Sequence, residues 1–193
     1  QGICFVGKVD LPTFLQQKLT AKKGNIIEIP ESYYEKLPDA DNISDISKPY
    51  YYKQEDGKTI GEHRGAHFYT IGQRKGLNIG GTGLPMYVIA IDVVENIVYV
   101  GKGDNHPGLY RKALFIANEE MHWVRHDFKP EEGKAKDFLI RIRYRQPLQK
   151  GKLILKPEGS YISFEKPQRG IAAGQFAAWY DGEELIGSGV ICF

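Results

Sequence analysis

A mainly β protein is expected from three features of this 193-residue chain. Short apolar runs alternate with polar residues, glycine-rich turns separate them, and sustained helical periodicity is nearly absent. Strands this short, at this spacing and without intervening helices, predict a small β-rich domain with one short helix, followed by a closed β-barrel.

The elements follow in order. Gly2-Ile3-Cys4-Phe5-Val6-Gly7 is a β-type apolar run that holds a thiol between two glycines. Such a run needs a partner to bury its faces, so the chain reads as a downstream piece of something larger. Residues 10–19 place Asp10 as an N-cap, Pro12 in the first turn, and Leu11, Phe14, Leu15 and Leu19 on one face, which predicts a short amphipathic helix. Ile26, Ile27 and Ile29 form a strand ended by Pro30, and residues 30–55 read as a long surface excursion. Within it, Tyr50-Tyr51-Tyr52 suits local packing on a half-buried strand better than base stacking. Strands are expected at 67–71, 86–92 and 97–100, with a turn at 104–108. A second block opens near Ala113 and alternates through 138–145, 152–156, 161–165 and 175–180, before an Asp181-Gly182 hairpin and a returning strand over 185–192.

Composition narrows the chemistry. Lys and Arg total 26 against 24 Asp and Glu, a formal charge of +2, so a polyanion would have to meet a local patch. The two cysteines, Cys4 and Cys192, stand at opposite ends with neither metal-ligand spacing nor the density of a disulfide scaffold. No metal site is expected. No secretory leader is visible and no apolar run approaches the roughly 18 residues of a membrane span, so the expected setting is cytoplasmic, away from membranes.

Three segments carry candidate contacts. Gln73, Arg74 and Lys75 tip a Gly-rich loop that fits neither a dinucleotide fingerprint nor a Walker loop, but whose amide and cationic groups suit phosphate and ribose. Arg141, Arg143 and Arg145 would share one face of a strand, with Ile140, Ile142 and Tyr144 on the other, and guanidinium is the side chain best shaped to grip phosphate. Pro167-Gln168-Arg169 and Gly174-Gln175 mark loop-to-strand junctions.

The order and wording of these segments resemble the tRNA-specific 2-thiouridylase family over nearly the whole chain. Gly-Ile-Cys-Phe-Val-Gly, Gly61-Glu62-His63, Tyr69-Thr70-Ile71-Gly72-Gln73-Arg74-Lys75-Gly76-Leu77, His106-Pro107, Arg143-Tyr144-Arg145-Gln146 and Gly174-Gln175 carry the likeness. The resemblance implies a three-part enzyme with an N-terminal pyrophosphatase-loop domain that binds ATP with magnesium, a central domain and a C-terminal β-barrel. On that plan residues 1–10 are the tail of the first domain, 11–111 the central domain and 112–193 the barrel. The family adenylates the wobble uridine of tRNA at carbon 2, then replaces the activated oxygen with sulfur from a cysteine persulfide. Cys4 matches the persulfide cysteine, and Arg143, Tyr144 and Gln175 match tRNA-contacting positions. Gln73, Arg74 and Lys75 are added on chemistry alone. A sulfur-relay donor protein and tRNA are the implied partners. The phosphate-binding loop expected of the first domain is not among these residues, so the chain alone is expected to be inactive. Residues 30–52 look like an insertion, and Ala173 stands where the family usually has Pro. The alternative is a non-catalytic β-barrel module that grips RNA phosphates, with Cys4 inert.

Overall fold

The structure, a computed structural model, describes residues 21–37, 42–81 and 83–193. Cys4 and the helix expected over 10–19 lie outside the described residues. Those described fall into two compact units, one within Gln1–Lys36 and Tyr51–Leu109 and the other within Leu37–Tyr50 and Tyr110–Phe193.

The first unit is built on four strands: β1 (Gly24–Glu28), β2 (Lys58–His63), β3 (Met86–Asp92) and β4 (Ile97–Lys102), in the order β2-β1-β4-β3. β1 and β4 run parallel at the centre and the outer pairs are antiparallel. Central strands are covered on both faces and read as continuous apolar runs. Accordingly Ile26 and Ile27 are fully buried, as is every residue of β4 before Lys102. The β3–β4 turn needs a left-handed residue, supplied by Asn96 at φ 57°. Its side-chain carbonyl also accepts from Ala66 N at 3.0 Å, and its amide donates to the carbonyl of Lys23 at 2.8 Å.

The strand expected over 67–71 is absent. A 3-10 turn occupies Ala66–Phe68 instead, because Gly65 at φ 148° reverses the chain and the Phe68 and Tyr69 amides donate back to the carbonyls of Gly65 and Ala66. The strand lies upstream, as β2. Part of the expected surface excursion is likewise ordered: Glu31–Lys36 is a 3-10 turn whose Tyr33 and Tyr34 pack against Tyr52, with the Tyr34 and Tyr52 hydroxyls 2.6 Å apart. Tyr52 is buried, so this part of the tyrosine run packs locally. Burial lowers the pKa of both His63 and His106 below the ordinary histidine value.

The second unit carries seven strands: β5 (Tyr110–Ala117), β6 (Met121–Trp123), β7 (Ala135–Arg141), β8 (Gln149–Lys156), β9 (Gly159–Arg169), β10 (Phe176–Asp181) and β11 (Glu184–Val190). Their order is β5-β9-β8-β7-β10-β11-β6, antiparallel throughout. The sheet curls into a half-barrel, and Cys192, just past β11, bridges back to β5 by a backbone hydrogen bond from its N–H to the Phe115 carbonyl at 2.9 Å. One face of each strand fills the core with Leu114, Ile116, Ile140, Leu153, Ile162, Trp179 and Ile186, all fully buried. Gly187 is required opposite Trp179, because a Cβ there would stand 2.6 Å from the indole ring. A short helix, α1 (Ile43–Ser47), capped by the Asn42 side chain on Asp45 N at 2.9 Å, packs against β5 and β9. The free thiol of Cys192 is half-buried and donates to the carbonyl of Val190 at 3.3 Å.

Candidate nucleic-acid interface

The alternation expected through residue 145 stops at Arg141, where β7 ends. Gln146 is the reason. Its side-chain carbonyl accepts from Ile142 N at 3.3 Å and its backbone amide donates to Arg143 O at 3.0 Å, which folds 142–146 into a turn. Strict strand parity would have put Arg143 and Tyr144 on opposite faces; in a turn both side chains are exposed, Tyr144 to 89%.

Two connections meet at this end of the half-barrel, 142–148 between β7 and β8 and 170–175 between β9 and β10. Each dips one isoleucine into the core, Ile142 and Ile171. Each is then tied to the other by polar contacts. Arg143 donates from Nη2 to the Gly170 carbonyl at 2.9 Å, and the Gln146 amide donates to Oε1 of buried Gln168 at 2.6 Å. Gly170, at φ 66°, is the one residue type that leaves room: a Cβ there would lie 2.3 Å from Arg143 Nη2. The register β7 to β10 pairs Ala178 with Arg141, so Gln175 and Phe176 arrive at the same end.

Electrostatics at this end are one-sided. Residues 142–148 and 166–175 hold Arg143, Arg145, Lys166 and Arg169 and no carboxylate. Desolvation, with the nearby Arg169 charge, lowers the Arg143 pKa, yet guanidinium stays protonated. Two cations held this close favour an anion that would relieve them. Gln175 adds an acceptor: its Oε1 is buried with no partner among the described residues, while its backbone amide reaches Ala172 O at 3.4 Å and its backbone carbonyl accepts from Ile191 N at 2.8 Å.

Gln73, Arg74 and Lys75 belong to the first unit. Thr70 N and Thr70 Oγ1 both donate to Gln73 Oε1 at 3.1 Å, and Gln73 Nε2 donates to Lys75 O at 2.8 Å. Gln73 is therefore spent on its own turn, which Leu77 anchors in the core. Arg74 and Lys75 stand exposed and form no ion pair with a described residue. Sequence reasoning missed Gly170 and Phe176. The Gly170 role is conformational and leaves no chemical signature, and Phe176 read as an ordinary strand residue.

Among the described residues, no cluster of three or more His, Cys, Asp or Glu could hold a metal ion. No helix among them is long and apolar enough to cross a membrane.

Residues 43–102 match the tRNA methyl transferase PRC-barrel domain, and residues 114–191 match the aminomethyltransferase beta-barrel domain. The tRNA-specific 2-thiouridylase MnmA of Flavobacterium johnsoniae is 52% identical over 99% of this chain and 50% of its own length. The proteins of that name from Christiangramia forsetii and Karelsulcia muelleri are 50% and 46% identical over the same share of the chain. The chain belongs to the tRNA-specific 2-thiouridylase family. It spans about half the length of the curated relatives it matches.

Proposed function

We propose that this chain supplies the tRNA grip and the sulfur-carrying cysteine of a cytoplasmic tRNA 2-thiouridylase. The observation that carries the reading is the carboxylate-free end of the half-barrel, where Arg143 is pinned to the Gly170 carbonyl with Tyr144 exposed beside it. A pinned guanidinium gives up little side-chain entropy when it meets a phosphate, and an exposed aromatic offers a face to a base. Half-buried Gln175 stands at the same end as a further polar contact. On the first unit, Gln73 holds its turn so that Arg74 and Lys75 reach outward as further phosphate contacts.

The chemistry rests on family membership. The whole protein would adenylate the wobble uridine at the expense of ATP; the outer sulfur of a Cys4 persulfide, received from a relay protein, would then attack carbon 2 and displace AMP, and the thiol of a second cysteine in the first domain would attack Cys4 Sγ, forming a disulfide and leaving the sulfur on the uridine. Hydrogen exchange on the whole protein, with and without unmodified tRNA, tests the grip: the amides of 142–146 and 170–176 are expected to slow on binding. Unchanged exchange there, with tRNA bound, contradicts it. For Cys4, Cys4→Ser in the whole protein is expected to abolish thiolation while tRNA adenylation persists, and normal thiolation by that variant refutes the assignment.

A further inference from the structure

Phe176 is an aromatic residue that a barrel strand has no structural reason to display. Along β10 the side chains alternate, with Ala177 and Trp179 fully buried and Phe176, Ala178 and Tyr180 on the outer face. Phe176 is 64% exposed and opens that strand directly after Gln175. The β7 to β10 ladder ends with Ala178 opposite Arg141, so Phe176 lies two residues beyond it, at the end where the 142–146 turn begins. Arg141 already lies over the Tyr180 ring, with Cζ 5.8 Å from its centre. Tyr180, Arg141 and Phe176 thus share the outer face of the β7–β10 pair.

Holding the Phe176 ring in water is unfavourable, and Arg141 shares its outer face. Such interleaving suits an unpaired nucleotide, whose base presents a π face to the ring and whose phosphate meets the flanking arginines. Phe176 has the half-exposed Val190 across the strand pair, and the loops at its end, 142–148 and 170–175, carry Arg143 and Arg145 with no carboxylate, so the charge around the ring suits a polyanion. We propose that Phe176 is a base-stacking platform for an unpaired base of the bound tRNA, acting beside Tyr144 and between the phosphate contacts of Arg141 and Arg143. This deepens the tRNA-grip reading and rests on it.

The test uses the whole protein and an unmodified tRNA transcript, titrated at several salt concentrations. Phe176→Ala and Phe176→Leu are both expected to lose between about 5- and 150-fold in affinity, the value of one base stack, with the log-log salt slope unchanged. Phe176→Trp should restore the affinity. Phe176→Leu keeps apolar bulk, so its loss would exclude a packing explanation, and a thermal melt for each variant confirms the fold. Wild-type affinity in Phe176→Ala overturns the proposal, as does a leucine variant that binds normally, or a fall in salt slope matching that of Arg143→Ala. If the wild-type protein binds no tRNA at all, the grip reading itself fails; normal wild-type binding with an indifferent Phe176 removes the stacking platform alone.

Discussion

Two segments with glycines and cations looked equivalent in sequence, 72–76 in the first unit and 166–175 in the second, each with a glutamine beside a glycine. Their glutamines are used in opposite ways. Gln73 spends both ends of its amide on Thr70 and Lys75, whereas the Gln175 oxygen is buried and meets no described donor. A side chain whose hydrogen bonds are all internal braces a loop; one left with an unanswered buried acceptor carries a cost that a ligand would remove. The difference separates a turn that displays Arg74 and Lys75 from an end that is built around Arg143.

The largest contrast is expected at Tyr144. At 89% exposure it contributes nothing to the core, so Tyr144→Ala should leave stability within about 0.5 kcal/mol. Its tRNA affinity should nevertheless fall by about 1 to 3 kcal/mol, read by titration of the whole protein.

Glycine substitutions sharpen the comparison further. Gly170 and Gly76 have φ of 66° and 84°, so Ala at either should cost about 1 kcal/mol of stability. Only at Gly170 does the new Cβ strike Arg143; at Gly76 the nearest atom, Gln73 Nε2, is 3.7 Å away. Gly170→Ala should therefore weaken tRNA binding nearly as much as Arg143→Ala, and Gly76→Ala should leave it alone. Equal binding losses would erase the distinction between the two turns.

A smaller effect separates the glutamines themselves. Gln73→Ala should lower the melting stability by about 1 kcal/mol, since its lost bonds are partly exposed. Gln175→Ala should leave stability unchanged or raise it, because it deletes a buried acceptor without a partner. In binding assays the order should reverse.

The smallest expected effect is of pH, and it falls on the first unit. Burial holds His63 and His106 in the neutral form, with pKa values below the ordinary 6.5. Their unfolded forms bind protons first on acidification, so their contribution is intact above about pH 6.5 and is lost as pH falls toward the folded values. Amide protection factors in β1 to β4, corrected for the intrinsic exchange rate at each pH, should fall between about pH 6.5 and 5, a window above most carboxylate titration. Acid-insensitive protection of those strands would show that the two histidines take up protons without strain.

Much of this was legible in the chain. Period-2 alternation located most of the barrel strands, and Asp181-Gly182 marked its last hairpin, where Gly182 takes φ 58°. Residues 67–71 misled because a run of β-favouring residues, Phe68 to Ile71, does not reveal that Gly65 has turned the chain upstream. The 138–145 run misled for a related reason: Ile142 keeps the apolar alternation by plugging the core from a turn, so pattern alone extended the strand past Arg141. At the candidate site, residue chemistry pointed to Arg143, Tyr144 and Gln175, but the contact that orients Arg143 comes from a backbone carbonyl 27 residues away. A carbonyl has no side-chain signature, and only the fold brings it there.

The salt dependence of tRNA binding by the whole protein tests the central claim most directly, with Arg143→Ala compared against wild type. Loss of one phosphate contact should weaken binding and make the log-log slope shallower by about one unit, while the thermal melt stays a single folded transition lowered only by the lost bond to Gly170. A slope and an affinity both equal to wild type would mean that Arg143 serves the Gly170 carbonyl alone, and that this end of the half-barrel does not grip tRNA.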